Sequence, residues 1–307
     1  MKFTALALLS VSLAVPSAAP AQEPAQAFAE SPITLDVTRV NLLFTVTDKK
    51  GRFIGSLGPE DFEITENKIP QRILGFNAES DLPLRLAILV DTSNSIRDRF
   101  RFLQEAAIDF IKTAIRPGTD KAIVVSFDTQ AQLAADLTDD QEQLTRAVLN
   151  MRPGGGTVLH DAIFYASRDK LMSEEPRDKY RRAIIVLSDG EDNLSRQTRG
   201  QAMEMAQKAD TVIYTISTNV SRQDTTGDKV LKYFAEQTGG IAFFPFKAED
   251  MAQSFVNIAN ELRHQYNVLY RPEPLVADGK FHEVSIRVKA PGDHIVRARH
   301  GYYAPSQ

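Results

Sequence analysis

The chain has 307 residues, 36 basic and 40 acidic side chains, a net charge of −4 and no cysteine. Disulfides, thiol chemistry and zinc thiolate sites are thereby excluded, and a mildly acidic, well-mixed composition argues against nucleic acid or an anionic membrane as the main partner. Roughly 285 residues remain once an N-terminal leader is set aside, enough for one large domain and a smaller one.

That leader occupies residues 1–21. Lys2 precedes an apolar stretch over 3–15, and small residues end in Ala19-Pro20-Ala21, the pattern of a secretory signal peptide with its cleavage site. It is too short to span a bilayer, Pro16 and Pro20 would break a helix there, and no later stretch is apolar for long enough to cross. The expectation is export, to the periplasm or the extracellular space, without a transmembrane segment. Residues 22–33, rich in Ala, Gln, Glu and Pro, read as a disordered lead-in. An N-terminal β segment is expected over 34–80. Residues 34–48 alternate as a half-buried strand does (Leu35, Val37, then Val40, Leu42, Phe44, Val46), and shorter strands are expected at 53–57, 62–65 and 73–76, separated by turns at Gly58-Pro59 and Asn67-Lys68.

Residues 86–90 are continuously apolar, as in a central parallel strand covered on both faces, and the run stops at Asp91. Helical spacing follows (Ile96, Phe100, Leu103, Ala107, Phe110, Ile111), predicting a helix over 96–115 closed by Arg116-Pro117-Gly118. Further on, the pattern predicts a buried strand at 121–127, an antiparallel edge at 131–137 and a helix at 141–151. The glycine loop Gly154-Gly155-Gly156 and Thr157 lead into a helical run at 158–171. A second buried strand ends in Ser188-Asp189-Gly190. A strand at 211–217, a helix at 228–237 stopped by Gly239-Gly240, a short strand at 241–245 and a helix at 249–263 complete the series. Strands alternating with helices over 81–264 indicate an α/β fold with a doubly wound, mostly parallel sheet. From 265 to 307 the pattern is β again: Tyr266, Val268 and Tyr270 alternate, Phe281, Val284, Ile286 and Val288 continue, and Ile295, Val296 and Ala298 lead to Gly301-Tyr302-Tyr303. A few short strands are marginal alone, so the two β segments are expected to pack as one β-sandwich with the α/β domain inserted between them.

Asp91, Ser93 and Ser95 lie outside the carboxyl end of a strand, where open α/β sheets bind ligands. A carboxylate and two hydroxyls are hard oxygen donors of the kind Mg²⁺ and Ca²⁺ prefer. Taken alone, Asp91 reads equally well as the cap of the following helix. The series Asp91-Thr92-Ser93-Asn94-Ser95, then Gly155-Gly156-Thr157, then Ser188-Asp189-Gly190 at a second strand end, resembles the von Willebrand factor type A (VWA) domain, a Rossmann-like fold. The resemblance implies a metal-ion-dependent adhesion site (MIDAS) built from Asp91, Ser93, Ser95, Thr157 and Asp189. The cation implied is Mg²⁺, with Mn²⁺ or Ca²⁺ as alternatives, and it would be completed by an Asp or Glu carboxylate of a protein partner in adhesion or complex assembly. It also implies that the last helix, 249–263, moves with ligation. The tail, with Gln265-Tyr266-Asn267-Val268-Leu269-Tyr270, Asp278-Gly279-Lys280-Phe281-His282 and Arg297-Ala298-Arg299-His300-Gly301-Tyr302, is similar to secreted bacterial proteins called VWFA-related.

The alternative function is a metal-assisted hydrolase using the same cation to activate water. Against it, Ser93 stands where an Asp-x-Asp pair would place its second acid, and neither a G-x-S-x-G elbow nor a Walker loop is present. No catalytic residues are assigned. His160 and Asp161 are read as loop support rather than a catalytic pair. Glu191, Asp192 and Asn193 are read as modulators of the surface beside the ion, and residues 174–182 as a solvated, charge-rich helix end and loop. His264, His282, His294 and His300 are not expected to bind metal. Arg97 and Arg99 belong to an exposed helix face that could flank an acidic ligand.

Overall fold

Val40–Thr47 (β1) buries one face by alternation, with Leu42, Phe44 and Val46 directed into an apolar core. The computed structural model of the protein describes residues 39–78, 82–174, 179–219, 223–245 and 248–306; the expected leader and lead-in lie outside the described residues. After β1 the chain turns at Asp48, whose Oδ1 accepts the Lys50 and Arg52 amides (2.8 and 2.9 Å). The expected strand at 53–57 is reduced to a single bridge between Phe53 and Thr47, because the chain turns inward there: the Leu57 amide donates to Tyr266 Oη and Tyr266 Oη donates to the Ile54 carbonyl. Phe62–Glu66 (β2), Ile69–Gln71 (β3) and Ile73–Asn77 (β4) follow. The strand β3 was not anticipated; Asn67 and Lys68, both at positive φ, form the tight turn that folds it back onto β2.

The α/β part begins with Leu84–Asp91 (β5), every residue of which is buried. A short 3₁₀ stretch, Asn94–Arg99, precedes the helix Phe100–Ala114 (α1), so the predicted helix is α-helical only from Phe100. The Ser93 side chain does not cap this stretch; its hydroxyl is paired with Ser95 instead. Then come Lys121–Phe127 (β6), Ala131–Thr138 (β7), Gln141–Asn150 (α2), and Leu159–Tyr165 (α3), which continues as a π-helical turn over Ala166–Leu171. Arg181–Ser188 (β8) is followed by Arg199–Lys208 (α4), a helix absent from the sequence reading. Its start carries a capping box, with Thr198 accepting from the Gln201 amide and the Gln201 side chain accepting from the Thr198 amide. Thr211–Ser217 (β9), Thr226–Thr238 (α5), Ala242–Phe243 (β10) and Ala248–Glu261 (α6) complete the unit. The strand order is β10-β9-β8-β5-β6-β7, parallel except for β7. Alternation along β5 sends Leu84, Leu86, Ile88 and Val90 to a core shared with α1, α2 and α6, and Ala87 and Leu89 to one shared with α3, α4 and α5. The fold is therefore doubly wound, with α1, α2 and α6 on one face and α3, α4 and α5 on the other.

The chain ends in Tyr266–Tyr270 (β11), Phe281–Val288 (β12), Ile295–Ala298 (β13) and Gly301–Tyr303 (β14). Two four-stranded antiparallel sheets result, ordered β13-β1-β11-β4 and β14-β12-β2-β3; the first alternates strands from the two flanks, and the second joins them where β12 pairs with β2. Their shared core joins Phe44, Phe62 and Tyr266, with ring centroids 5.0–5.4 Å apart. The phase of β12 departs from expectation at its start. Phe281 is exposed and His282 points inward, where its Nδ1 meets Glu66 Oε1 at 2.7 Å while Tyr270 and Tyr302 donate to the same carboxylate. A buried acceptor with three partners is the polar exception that fixes the phase.

The end of the expected charged loop is also different. Arg181 and Arg182 are 1% exposed, and their guanidinium groups donate to the Leu262 and Leu171 carbonyls respectively, satisfying chain ends that would otherwise be orphaned. The same edge holds Asp120, fully buried, which accepts from the Leu84 amide (2.8 Å), the Arg116 amide (2.9 Å) and the Arg116 and Arg263 guanidinium groups. Burial alone would raise its pKa, but the bonds from Arg263 and Arg116 outweigh it and hold the carboxyl at about 2, below the ordinary 3.8. A depressed folded-state value gives stability that is complete above about pH 4 and lost as pH falls through about 2. Asp120→Asn should therefore cost about 2–3 kcal/mol at pH 7, and the gap from wild type should narrow in urea titrations run down to pH 2; an equal gap at both pH values contradicts this account.

Candidate metal centre

The three loops named from sequence leave the sheet at neighbouring strand ends. Asp91 closes β5, and its position is set by the strand itself: β6 pairs with β5 through Asp91 and Phe127, and the Thr92 amide donates to the Phe127 carbonyl (2.9 Å). The glycine loop is stitched to this turn, since the Gly154 amide donates to the Thr92 carbonyl (2.6 Å) and the Asn94 amide to the Gly155 carbonyl (3.3 Å). The third loop is stitched to the second. Thr157 donates its amide to Asn193 Oδ1 (2.9 Å), and its carbonyl accepts the Asn193 and Leu194 amides (3.2 and 3.1 Å).

Within this frame Asp91 is fully buried, while Ser93, Thr157 and Asp189 are 2%, 3% and 7% exposed. Ser95 is exposed, and its hydroxyl lies 2.9 Å from that of Ser93. Asp91 Oδ1 accepts the Ser93 amide (2.8 Å) and Oδ2 accepts the Ser188 hydroxyl (2.6 Å). Burial drives the Asp91 carboxyl up to about 6, the Asp189 charge pushes the same way, and the bonds from Ser188 and Ser93 oppose both. An acid whose cost is raised by burial and by the charge of a second acid, together with neighbouring hydroxyls, forms a donor set that suits a hard divalent cation. Among the described residues no three His, Cys, Asp or Glu side chains come together as a metal-binding group. A cation at this place would therefore rely on Ser93, Ser95 and Thr157 alongside the two acids.

Several residues other than the five candidate ligands shape the site. Ser188 donates to Asp91 and accepts the Gly190 amide (3.0 Å), so one hydroxyl ties the first acid to the turn carrying the second. Its signal was present in the Ser-Asp-Gly triplet. Asn193, expected to modulate the surface beside the ion, accepts the Thr157 amide and so ties the second loop to the third. Asp161 accepts the Arg196 and Gln197 amides, and Asp192 accepts the His160 amide (2.8 Å), so this His-Asp pair pins the third loop. Burial lowers the His160 pKa. Arg99, expected on an exposed face, donates to the Thr218 carbonyl (2.8 Å), whereas Arg97 remains exposed and reaches Asn94 Oδ1 and the Pro153 carbonyl.

Gly190 has φ +82°, and a Cβ there would lie 2.2 Å from the Gly227 carbonyl oxygen. Gly118 has a similar φ of +79° with open space around it. Gly190→Ala should therefore cost on the order of 3 kcal/mol, against about 1 kcal/mol for Gly118→Ala, where only the backbone conformation is penalised. Equal shifts in the urea midpoints of the two variants would show that the close approach of the two backbones is not what makes Gly190 necessary.

Comparison with known proteins gives one direction. A family model described as von Willebrand factor type A domain matches residues 86–191. Human von Willebrand factor A domain-containing protein 3B is 30% identical over 169 residues, which cover 53% of this chain and 12% of that protein's length. Among solved structures, a von Willebrand factor type A protein from Catenulispora acidiphila superposes with a TM-score of 0.53 at 14% identity, covering 80% of this chain and 73% of that one. Proximal thread matrix protein 1 from the mussel byssus, solved with a zinc-occupied MIDAS motif, gives 0.50 at 18% identity over 64% of this chain and 49% of that one. At these identities the likenesses establish the fold. Sequence match and architecture agree that this chain contains a von Willebrand factor type A domain.

Proposed function

We propose that the protein is an exported, metal-dependent protein-binding module, in which Asp91, Ser93, Ser95, Thr157 and Asp189 hold a divalent cation that receives an acidic side chain of a partner. The carrying observation is the buried Asp91 carboxylate at the head of the central strand, with the Thr157 and Asp189 loops hydrogen-bonded against its own turn. A bound divalent cation supplies a Lewis-acidic position for an incoming carboxylate.

This chain's own residues explain why such a site favours binding. Only Asp91 and Asp189 offer full negative charge, so a 2+ ion held by them and three hydroxyls retains appetite for another anion. Ser93 places its amide on Asp91 Oδ1 and its hydroxyl on Ser95, fixing the first loop as a unit. Exposed Arg97, anchored on Asn94 and Pro153, adds positive charge beside the first two loops. Magnesium is the first candidate, and the zinc found in the mussel protein's MIDAS motif makes ion identity a matter for titration. Export follows from the leader-like pattern at residues 1–21; among the described residues no helix is long and apolar enough to cross a membrane.

Calorimetric titration with Mg²⁺ and Mn²⁺ should show one site per chain. Asp91→Ala should abolish it, and Thr157→Ala should weaken it by about tenfold, the loss of one ligand from a weakly neutralised ion. A partner captured from the native host should be released by chelator and should not be captured by Asp91→Ala. Capture that survives both treatments contradicts the proposal.

A further inference from the structure

The Asp189 loop is gripped from behind by residues that are not candidate ligands. Asn219, just past β9, donates its side-chain amide to the Asp189 carbonyl (3.0 Å), to Thr225 Oγ1 (3.0 Å) and to Asp228 Oδ1 (2.9 Å). Asp228 lies in the first turn of α5 and is 3% exposed. Its Oδ1 also accepts the Ser217 hydroxyl (2.8 Å), and its Oδ2 accepts the Thr225 amide (3.0 Å). Burial works against its charge, yet the bonds from the Thr225 amide, Asn219 and Ser217 hold the carboxyl below the ordinary range, so it is an ionised acceptor.

The backbones meet at the same place. A Cβ on Gly227 would lie 2.1 Å from the Asp189 carbonyl oxygen, and one on Gly190 would lie 2.2 Å from the Gly227 carbonyl oxygen. The first turn of α5 is therefore seated directly on the Asp189-Gly190 peptide, and two glycines permit it. Ser217 is the β9 partner of Ser188, which itself binds Asp91 and the Gly190 amide. Two polar pairs thus stand at adjoining strand ends, Ser188 on Asp91 and Ser217 on Asp228, joined by the β8–β9 backbone pairing, and Asn219 links the second to the Asp189 carbonyl.

We infer that Asn219 and Asp228 are a positioning pair that clamps the Asp189 loop from the N-terminal turn of α5, so that cation affinity is set by α5 as well as by the ligands. This rests on the cation reading above, but the clamp itself does not need the ion. Outer residues that orient ligands commonly change metal affinity by about 10–100-fold when removed, and Asn219, half-buried and not itself a candidate ligand, can be truncated without opening the core.

The test uses the full chain. In metal-free protein, amide hydrogen exchange by NMR reads the Glu191 amide, which donates to Asp189 Oδ1 (3.1 Å). Asn219→Ala should speed its exchange about tenfold while amides in β5 keep their rates. Magnesium titrated into the same variant should bind about tenfold more weakly than to wild type. Asp228→Asn, which keeps the shape and removes the charge, should move both readouts in the same direction. Thr198→Ala removes the cap of α4, lowers overall stability, and should move neither, which separates positioning from general destabilisation. Wild-type exchange at Glu191 and wild-type affinity in both clamp variants would overturn the inference. Absence of magnesium uptake by the wild-type chain would overturn the cation reading, and with it the role in affinity, while the exchange result on metal-free protein would still decide whether the clamp exists.

Discussion

A carboxylate with no exposed surface stands at the end of the central strand, and the site's order follows from the need to accommodate it. Burying Asp91 costs several kcal/mol unless its oxygens find partners, and the chain supplies them from two directions: the Ser93 amide on Oδ1 and the Ser188 hydroxyl on Oδ2. No Arg or Lys takes part in these two bonds, so the charge is oriented rather than neutralised. That distinction separates Asp91 from Asp120, which precedes β6 and holds the Leu84 amide at the opposite end of β5. Asp120 is equally buried, but two guanidinium groups hold it far below its ordinary pKa, whereas burial leaves Asp91 at about 6. At one end of β5 the buried acid is compensated by arginines; at the other it is held by an amide and a hydroxyl alone.

The sandwich gives this domain a second context. Because each of its sheets draws strands from both before and after the α/β region, neither flank can complete its sheets without the other. The junction is polar. Glu261, in the last turn of α6, meets the Arg297 guanidinium (3.1 Å) and the hydroxyls of Thr45 and Tyr214 (3.5 Å each), and Arg263 just beyond it reaches Asp120. Charged groups thus bind α6 both to the sandwich strands and to the central sheet, and directional bonds of this kind specify an arrangement more than they stabilise it.

Much of this was legible in the residues themselves. Continuous apolar runs announced the covered parallel strands, and alternation announced β1 and β11, because the periods of burial differ for strands covered on two faces and on one. The loop motifs lay at strand ends, where the chain must turn and polar side chains can converge. What escaped depended on tertiary partners. The helix α4 has a weak apolar period, buried mainly through Ala202, Met203 and Ala206, and only its capping box betrayed it. The inward turn of His282 is fixed by Glu66, more than two hundred residues away, so no local pattern carried it. Arg181 and Arg182 looked solvated because charge usually is, yet their guanidinium groups serve helix-end carbonyls that only the folded chain brings near. The hydrogen-bonding roles of Ser188, Asn193, Asn219 and Asp228 escaped for the same reason: each acts on another segment of the chain.

The central claim is that oxygens from three separate loops share one cation above β5. Crystals grown with Mn²⁺ and measured at a wavelength where manganese scatters anomalously test it most directly. The account predicts a single strong anomalous peak enclosed by Asp91, Ser93, Ser95, Thr157 and Asp189. A peak elsewhere, or none at saturating manganese, would contradict it.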